Sequence, residues 1–190
     1  MIGSHRRHLL RDALTSTTVE RLIGGSRWPV LTANTVPSGA YRQILASTDF
    51  SDGARAALVA THHIGLDDGA LLSVVHVYDT PTVGLMVRTS TTSDQIRDYE
   101  EREKLRAEVE LKAFLRSAGV PGARGVLRKS AKFPAMAIAD TAHELRADLV
   151  VCGSRGKSDL AKVFLGSVAQ SLTSFSGFDL MVVPLVPSSN

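Results

Sequence analysis

Short apolar runs and longer amphipathic segments alternate along the chain after residue 40. Runs of this length, rich in valine, leucine and isoleucine, are typical of strands buried on both faces of a parallel sheet. They predict strands over Arg42–Thr48, Ala70–Tyr78, Ala123–Arg128, Asp148–Cys152 and Leu180–Val183. The segments between them predict helices over Asp52–Ile64, Ser93–Ser117 and Ala135–Leu145, and a last helix after Gly166. The alternation predicts an α/β fold with parallel strands and right-handed crossovers.

Residues 147–184 combine two of these strands with a glycine-rich loop. Gly153 and Gly156 directly follow one strand, and Gly166 and Ser167 come after nine further residues. Glycine leaves backbone N–H groups accessible and lets a ligand approach the main chain closely. A strand-to-helix turn directs such N–H groups toward an anion. A lone glycine pair would indicate only a tight turn, but the full spacing G-x2-G-x9-G-S predicts a polyphosphate-binding loop.

The sequence Gly156-Lys157-Ser158 imitates the end of a P-loop. A P-loop also needs a glycine five positions before Gly156. Val151 occupies that position, so the P-loop interpretation is rejected.

The G-x2-G-x9-G-S spacing, followed by Val168 and a buried strand, resembles the signature of the universal stress protein family in its ATP-binding branch. The resemblance covers about Tyr41–Pro187. It implies a doubly wound, Rossmann-like sheet of five parallel strands in the order 3-2-1-4-5, with helices on both faces. In such sheets ligands bind at the carboxyl ends of the strands, where the strand order reverses. Asp49 and Gly153 end the two strands beside that point, so two separate motifs converge on one crevice.

The resemblance also implies roles for individual residues. The loop glycines, Ser167 and Val168 would hold the phosphates of ATP, Asp49 would accept hydrogen bonds from the ribose, and Val77 would lie against the adenine. Mg²⁺ could bind together with the ATP phosphates, and no metal site formed by protein side chains is predicted. The full predicted binding set is Ser47, Thr48, Asp49, Val77, Cys152, Gly153, Ser154, Arg155, Gly156, Gly166, Ser167 and Val168. Arg155 would add positive charge near the phosphates, and Lys129 or Lys132 would lie near the crevice mouth.

Composition narrows the class of protein. The chain has 190 residues, of which 44% are hydrophobic, enough for the core of one domain plus a tail. Its net charge is only +3, without aromatic interleaving of the basic residues, so nucleic acid is an unlikely partner by this criterion. A single cysteine, no apolar run long enough for a membrane span and no signal peptide predict a cytoplasmic protein. His62 and His63 are helix neighbours that point in different directions, and we interpret them as surface residues.

The first 34 residues, called the head here, resemble the end of the chain at an offset of 150. Gly3 matches Gly153, Leu22 matches Leu172, and the segment 28–31 falls on 178–181. We therefore interpret residues 1–34 as a partial universal-stress repeat, 35–40 as a linker and 41–187 as the complete domain. The head would be part of a tandem protein or a remnant kept for its packing, and the alternative is an unrelated basic arm. Arg6 and Ser16 replace two motif glycines, so nucleotide binding by the head is not expected.

A structural prediction follows for the head. Because the final strand of this family commonly pairs with its equivalent from a second domain, Pro29–Ala33 should lie antiparallel to Asp179–Leu185. A helix over Leu9–Leu22 should leave Leu10, Leu14 and Leu22 partly uncovered, which favours a homodimer or exchange of heads between chains.

The resemblance as a whole implies an ATP-binding regulatory protein of the stress response. No convincing catalytic group is present, so the chain is predicted to be no enzyme, or at most a slow ATPase. One alternative is a structural dimerisation module that does not depend on nucleotide. Another is an enzyme of the ATP-pyrophosphatase or electron-transfer-flavoprotein type, but Ser47-Thr48-Asp49 stands where a pyrophosphatase would have a Ser-Gly-Gly loop.

Overall fold

A computed structural model describes residues 2–3, 18–36, 39–89, 91–130, 133–156 and 165–185. The strands are β1 (Ile2–Gly3), β2 (Val30–Ala33), β3 (Gln43–Thr48), β4 (Leu71–Tyr78), β5 (Arg124–Lys129), β6 (Leu149–Gly153) and β7 (Asp179–Val183). The helices are α1 (Thr18–Gly25), α2 (Asp52–His63), α3 (Val83–Arg88), α4 (Ser93–Ser117), α5 (Pro134–Leu145) and α6 (Ser167–Leu172).

The described strands form one sheet in the order β1-β2-β7-β6-β3-β4-β5. The five strands from β3 to β7 are parallel and neighbour one another in the predicted order. The prediction of a five-stranded, wholly parallel sheet is nevertheless wrong, because the described sheet has seven strands and mixed directions. The head causes the difference: β2 pairs antiparallel with β7, and β1 pairs parallel with β2.

Two apolar layers cover the faces of the sheet. Because strand side chains alternate, Leu45, Val75 and Val150 point into one layer, which α5 and α6 complete. Ile44 and Val74 point into the other layer, which α2 and α4 complete. Helices on both faces fit the parallel strands, since each crossover returns over one face of the sheet.

The connection between β4 and α4 has two features that the predicted elements do not include. It contains the short helix α3, where no helix is predicted. Thr92 caps α4: its side chain accepts a hydrogen bond from the Gln95 N–H, and the Gln95 side chain accepts one from the Thr92 N–H. This reciprocal capping box satisfies two backbone N–H groups at the start of α4.

The antiparallel pairing predicted for the head is confirmed. Leu31 lies opposite Met181 in the ladder between β2 and β7. The described helix α1 begins at Thr18, and the predicted Leu10 and Leu14 lie outside the described residues. Leu22 is 49% exposed, as expected, whereas the neighbouring Ile23 is buried in the same layer as α6.

Candidate functional site

The carboxyl ends of β3 and β6 lie side by side and open into a cavity of about 330 Å³. In an α/β sheet this is the position where ligands bind, because the chain leaves β3 and β6 in opposite lateral directions. Sixteen residues line the cavity: Ser47, Thr48, Asp49, Ala54, Val75, Val77, Pro134, Ile138, Cys152, Gly153, Arg155, Gly156, Gly166, Ser167, Val168 and Ala169. Eleven of the twelve predicted binding residues are among them.

Ser154 is the predicted residue that does not line the cavity. It is buried, its backbone N–H donates to the Val183 carbonyl at 2.7 Å, and its own carbonyl accepts from the Gly166 N–H at 2.8 Å. The second bond joins the two halves of the glycine motif across the loop between them. The backbone of Ser154 therefore connects β7 to both parts of the glycine motif, and Ser154 does not line the cavity.

A tight turn after β3 fixes the position of Asp49. The Ser51 N–H donates to Asp49 Oδ1 at 3.1 Å. Phe50 has a φ of 64°, in the left-handed region that only glycine adopts freely, and its N–H donates to Thr48 Oγ1 at 2.9 Å. The Phe50 ring stacks on His76 at 4.1 Å, which anchors the turn in the core. A non-glycine residue held in this conformation is a feature that clusters at functional sites.

The carboxylate of Asp49 lies directly over the glycine loop. A Cβ atom added at Gly156 would stand 2.5 Å from Asp49 Oδ2, well inside van der Waals contact. Only a glycine at this position allows the carboxylate and the loop to approach so closely. The structure thus brings the ends of β3 and β6 into direct contact, as two converging motifs predict.

Gly153 is required for a different reason. A Cβ atom there would lie 2.7 and 2.8 Å from the backbone of Gly53, at the start of α2. Likewise, a Cβ atom at Gly53 would lie 2.5 Å from the Arg155 carbonyl oxygen. The first turn of α2 and the glycine loop therefore pack backbone against backbone, so Gly153 serves packing as well as access.

The far end of the cavity is apolar. Val75 and Val77, two residues apart on β4, share one face of the sheet, and Pro134 and Ile138 of α5 line the cavity with them. Of these four, the sequence analysis identified only Val77. The period of two along the strand could have indicated Val75, but no local signal places the start of α5 at the crevice.

Burial, a hydrogen bond and an ion pair define the surroundings of Cys152, Arg155 and Lys129. Burial raises the pKa of the Cys152 thiol to about 12, so this side chain is a neutral part of the wall. Arg155 lines the cavity, but its Nη2 donates to the Leu185 carbonyl at 3.4 Å, beyond the end of β7. Lys129 forms an ion pair with Glu100 on α4, and Lys132 lies outside the described residues.

The described residues lack the hallmarks of a protein-built metal site and of a membrane-spanning helix. They contain no cluster of three or more histidine, cysteine, aspartate or glutamate side chains arranged to hold a metal ion. His62 is exposed and its Nδ1 lies 3.2 Å from Asp67 Oδ2, an ordinary surface contact. No described helix combines the length and apolarity needed to cross a membrane.

Comparison with known proteins agrees with the fold and the motif. The family model of the universal stress protein family matches residues 40–184. The chain belongs to the universal stress protein family. A curated relative from Thermus aquaticus, "Universal stress protein in QAH/OAS sulfhydrylase 3'region", is 31% identical over 143 residues, which cover 75% of this chain and 98% of the relative.

Two solved structures resemble this chain in fold. A universal stress protein in complex with cAMP has a TM-score of 0.54 and 24% identity, over 76% of this chain and 98% of its own. The functionally unknown protein PA1789 from Pseudomonas aeruginosa PAO1 has a TM-score of 0.62 and 17% identity. That match covers 96% of this chain and 61% of the larger neighbour, so the likeness in fold includes described residues of the head.

Proposed function

We propose that this universal stress protein is a regulatory module that binds ATP in the crevice between β3 and β6. The observation that carries the proposal is the single cavity that unites the glycine motif with Asp49 and an apolar wall. A nucleotide needs these three surfaces in a row, because its phosphates are anionic, its ribose carries hydroxyl donors and its base is flat and largely apolar.

The lining residues suit the three parts of ATP in order. Backbone N–H groups of the glycine loop and the Ser167 hydroxyl would donate to the phosphates. Asp49 would accept hydrogen bonds from the ribose hydroxyls, and charge-assisted bonds of this kind contribute about 1.5–3 kcal/mol each. Val75, Val77 and Ile138 would enclose the adenine.

Binding, rather than turnover, fits the chemistry of these residues. Among the lining residues that the structure describes, Asp49 is the one carboxylate and Arg155 the one cationic side chain, and neither histidine nor lysine occurs. Enzymes that transfer phosphoryl groups use carboxylate side chains that bind Mg²⁺, cationic side chains and a positioned base. Mg²⁺ would therefore arrive with the phosphates, held by them more than by the protein. The complex of a family relative with cAMP supports adenine nucleotides as the ligand class.

Calorimetry with ATP, ADP, cAMP, adenosine and GTP tests the proposal. We expect binding of all four adenine compounds, tightest for ATP, and weak binding of GTP. Gly166→Val should reduce ATP affinity at least tenfold because a branched side chain would occupy the phosphate position. Gly122→Ala, where an added Cβ meets nothing within 4 Å, is the matched control. Absence of ATP binding to the folded wild-type chain would refute the function.

A further inference from the structure

The strand β5 forms one edge of the described sheet. It pairs with β4 on one side, and no described strand lies on its other side. Just beyond β5, the Ser130 N–H donates to the Tyr78 carbonyl of β4 at 3.0 Å. Because the backbone groups of successive strand residues point to opposite sides, Gly125, Leu127 and Lys129 direct theirs away from β4. Such a row of N–H and C=O groups is what a further extended chain needs for pairing.

The environment of Leu127 agrees with this orientation. Its carbonyl accepts a long hydrogen bond of 3.5 Å from Arg128 Nη1 on the outer side of the sheet. The same guanidinium donates from Nε to Thr141 Oγ1 at 2.9 Å and forms an ion pair with Glu144. A carbonyl oxygen has two lone pairs, so the Leu127 carbonyl can also accept a hydrogen bond from an added strand.

A groove of about 560 Å³ lies between this edge and α4. Ala123, Gly125 and Leu127 line it from the strand side, because alternate strand residues share one face. Leu111 and Leu115, both buried, line it from α4. A Cβ atom at Gly125 would stand 3.0 Å from Leu111 Cδ2, so the glycine keeps the groove open beside the strand. The edge thus combines outward backbone groups with space for apolar side chains.

The charged residues around the groove leave a positive excess. Lys112 and Glu108, which both line the groove, form an ion pair of 2.8 Å and neutralise each other. Arg116 also lines the groove, and no carboxylate among the described residues forms an ion pair with it. Arg124 is exposed at the start of β5, on the opposite strand face, and likewise has no described ion-pair partner. Acidic side chains of a partner would complement these two charges.

The charges of β5 disfavour a second copy of this chain as the occupant. The strand carries three cationic side chains, Arg124, Arg128 and Lys129, and no acidic one. Pairing two β5 strands would bring like charges together across the ladder, which is destabilising. Cationic side chains on an edge strand are a common means of preventing such pairing. An acidic chain is attracted by the same charges, which favours it as the partner.

We propose that the outer edge of β5 and this groove, together called the β5 groove here, bind an extended acidic peptide of a partner protein, which adds a strand to the sheet. Its backbone would pair with Gly125, Leu127 and Lys129, and its alternate apolar side chains would enter the space beside α4. Its acidic side chains would meet Arg116 on the α4 side and Arg124 on the opposite face. The site lies at the other edge of the sheet from the head and shares no lining residue with the cavity proposed for ATP.

Fluorescence anisotropy with the full-length chain tests the charge recognition. The probe is a labelled peptide that alternates glutamate and valine, and a labelled peptide that alternates lysine and valine is its control. The folded wild type should bind the glutamate peptide and not the lysine peptide. Arg124→Glu should weaken binding of the glutamate peptide about fivefold. Arg21→Glu, the same charge change at an exposed residue of α1, should leave that affinity unchanged.

The apolar part of the site is tested by filling it. Gly125→Val adds a side chain that strands favour, and it should weaken binding of the glutamate peptide about tenfold because it occupies the space for the peptide valines. Gly122→Val is the matched control, since Gly122 does not line the groove and an added Cβ there meets nothing within 4 Å. Circular dichroism checks that both variants are folded. Equal affinity of the two folded variants would contradict the assigned groove.

Methylation of the peptide backbone tests strand addition without altering the protein. Because successive N–H groups of a strand point to opposite sides, methylating every valine nitrogen blocks one edge of the peptide, and methylating every glutamate nitrogen blocks the other. One of the two methylated peptides should lose binding and the other should keep it. Equal affinity of both methylated peptides, whether lost or retained, refutes pairing along β5.

Two further outcomes overturn the proposal as a whole. The first is that the folded wild type does not bind the glutamate peptide, or binds both unmethylated peptides equally. The second is that Arg124→Glu changes the molecular mass in light scattering while peptide affinity stays the same, which would assign the edge to a second copy. Since the β5 groove is separate from the nucleotide cavity, neither outcome depends on ATP binding.

Discussion

The close approach of the Asp49 carboxylate to Gly156 gives the sharpest prediction. In Gly156→Ala the new methyl group would stand 2.5 Å from Asp49 Oδ2, whereas ordinary contact begins at 3.4 Å. The carboxylate must therefore move by at least 0.9 Å, the difference between these distances. If Asp49 binds the ribose, a shift of this size breaks a charge-assisted hydrogen bond worth about 1.5–3 kcal/mol. ATP affinity should fall about 10- to 100-fold.

The fold should tolerate this change, because the displaced atom is the end of a side chain. Gly153→Ala is the contrasting variant, since its methyl group would meet the Gly53 backbone at 2.7 Å. Overpacking against backbone costs typically about 1–3 kcal/mol, so Gly153→Ala should lower Tm where Gly156→Ala does not.

A double-mutant cycle measured by calorimetry tests whether Gly156→Ala weakens ATP binding by displacing the Asp49 carboxylate. In the Asp49→Ala background the added methyl group at position 156 has no carboxylate to displace. Its effect on ATP binding should then nearly vanish, which would give a coupling free energy of similar size to the single-mutant loss. Unchanged affinity in Gly156→Ala, or the same loss with and without Asp49, would refute the reasoning.

Three further predictions concern other parts of the molecule. Asp49→Asn should weaken adenosine and ATP binding alike, and a loss confined to ATP, measured by calorimetry, would exclude a ribose role. Burial of Asp179 opposes ionisation, but hydrogen bonds from Tyr41, Asn34 and Thr35 outweigh it and lower its pKa below 3.8. Its contribution to stability is thus present above that pH and lost as pH falls through the folded pKa, so Asp179→Asn should flatten this acid limb in urea titrations. Thr32 Oγ1 is buried without a hydrogen-bond partner among the described residues, so Thr32→Val should stabilise the fold by about 1 kcal/mol in the same assay.

The sequence was most informative where one residue type serves one local purpose. The apolar runs located β3, β4, β6 and β7 within one residue, because a largely buried strand leaves no polar alternation. The glycine spacing located the loop, because close approach of two backbones excludes side chains. The same logic could not separate the two purposes of glycine: Gly156 makes room for Asp49, and Gly153 for Gly53.

What the sequence missed depends on contacts between distant segments. Pro134 and Ile138 reach the cavity only because the crossover after β5 carries α5 over the sheet. The side chain of Arg155 extends toward Leu185 because the end of β7 offers a carbonyl acceptor, which no local pattern reveals. The likeness of residues 1–34 to the end of the chain predicts the strand β2, whereas the five-strand order implied by the family resemblance concerns only the domain at 41–187 and so omits both strands of the head.

Mass spectrometry of small molecules released from the purified, denatured protein tests the central claim most directly. The account predicts an adenine nucleotide, retained through purification in the wild-type chain and depleted in Gly156→Ala. Release of no nucleotide from the wild type, together with no binding when ATP is added back to the folded chain, would contradict it.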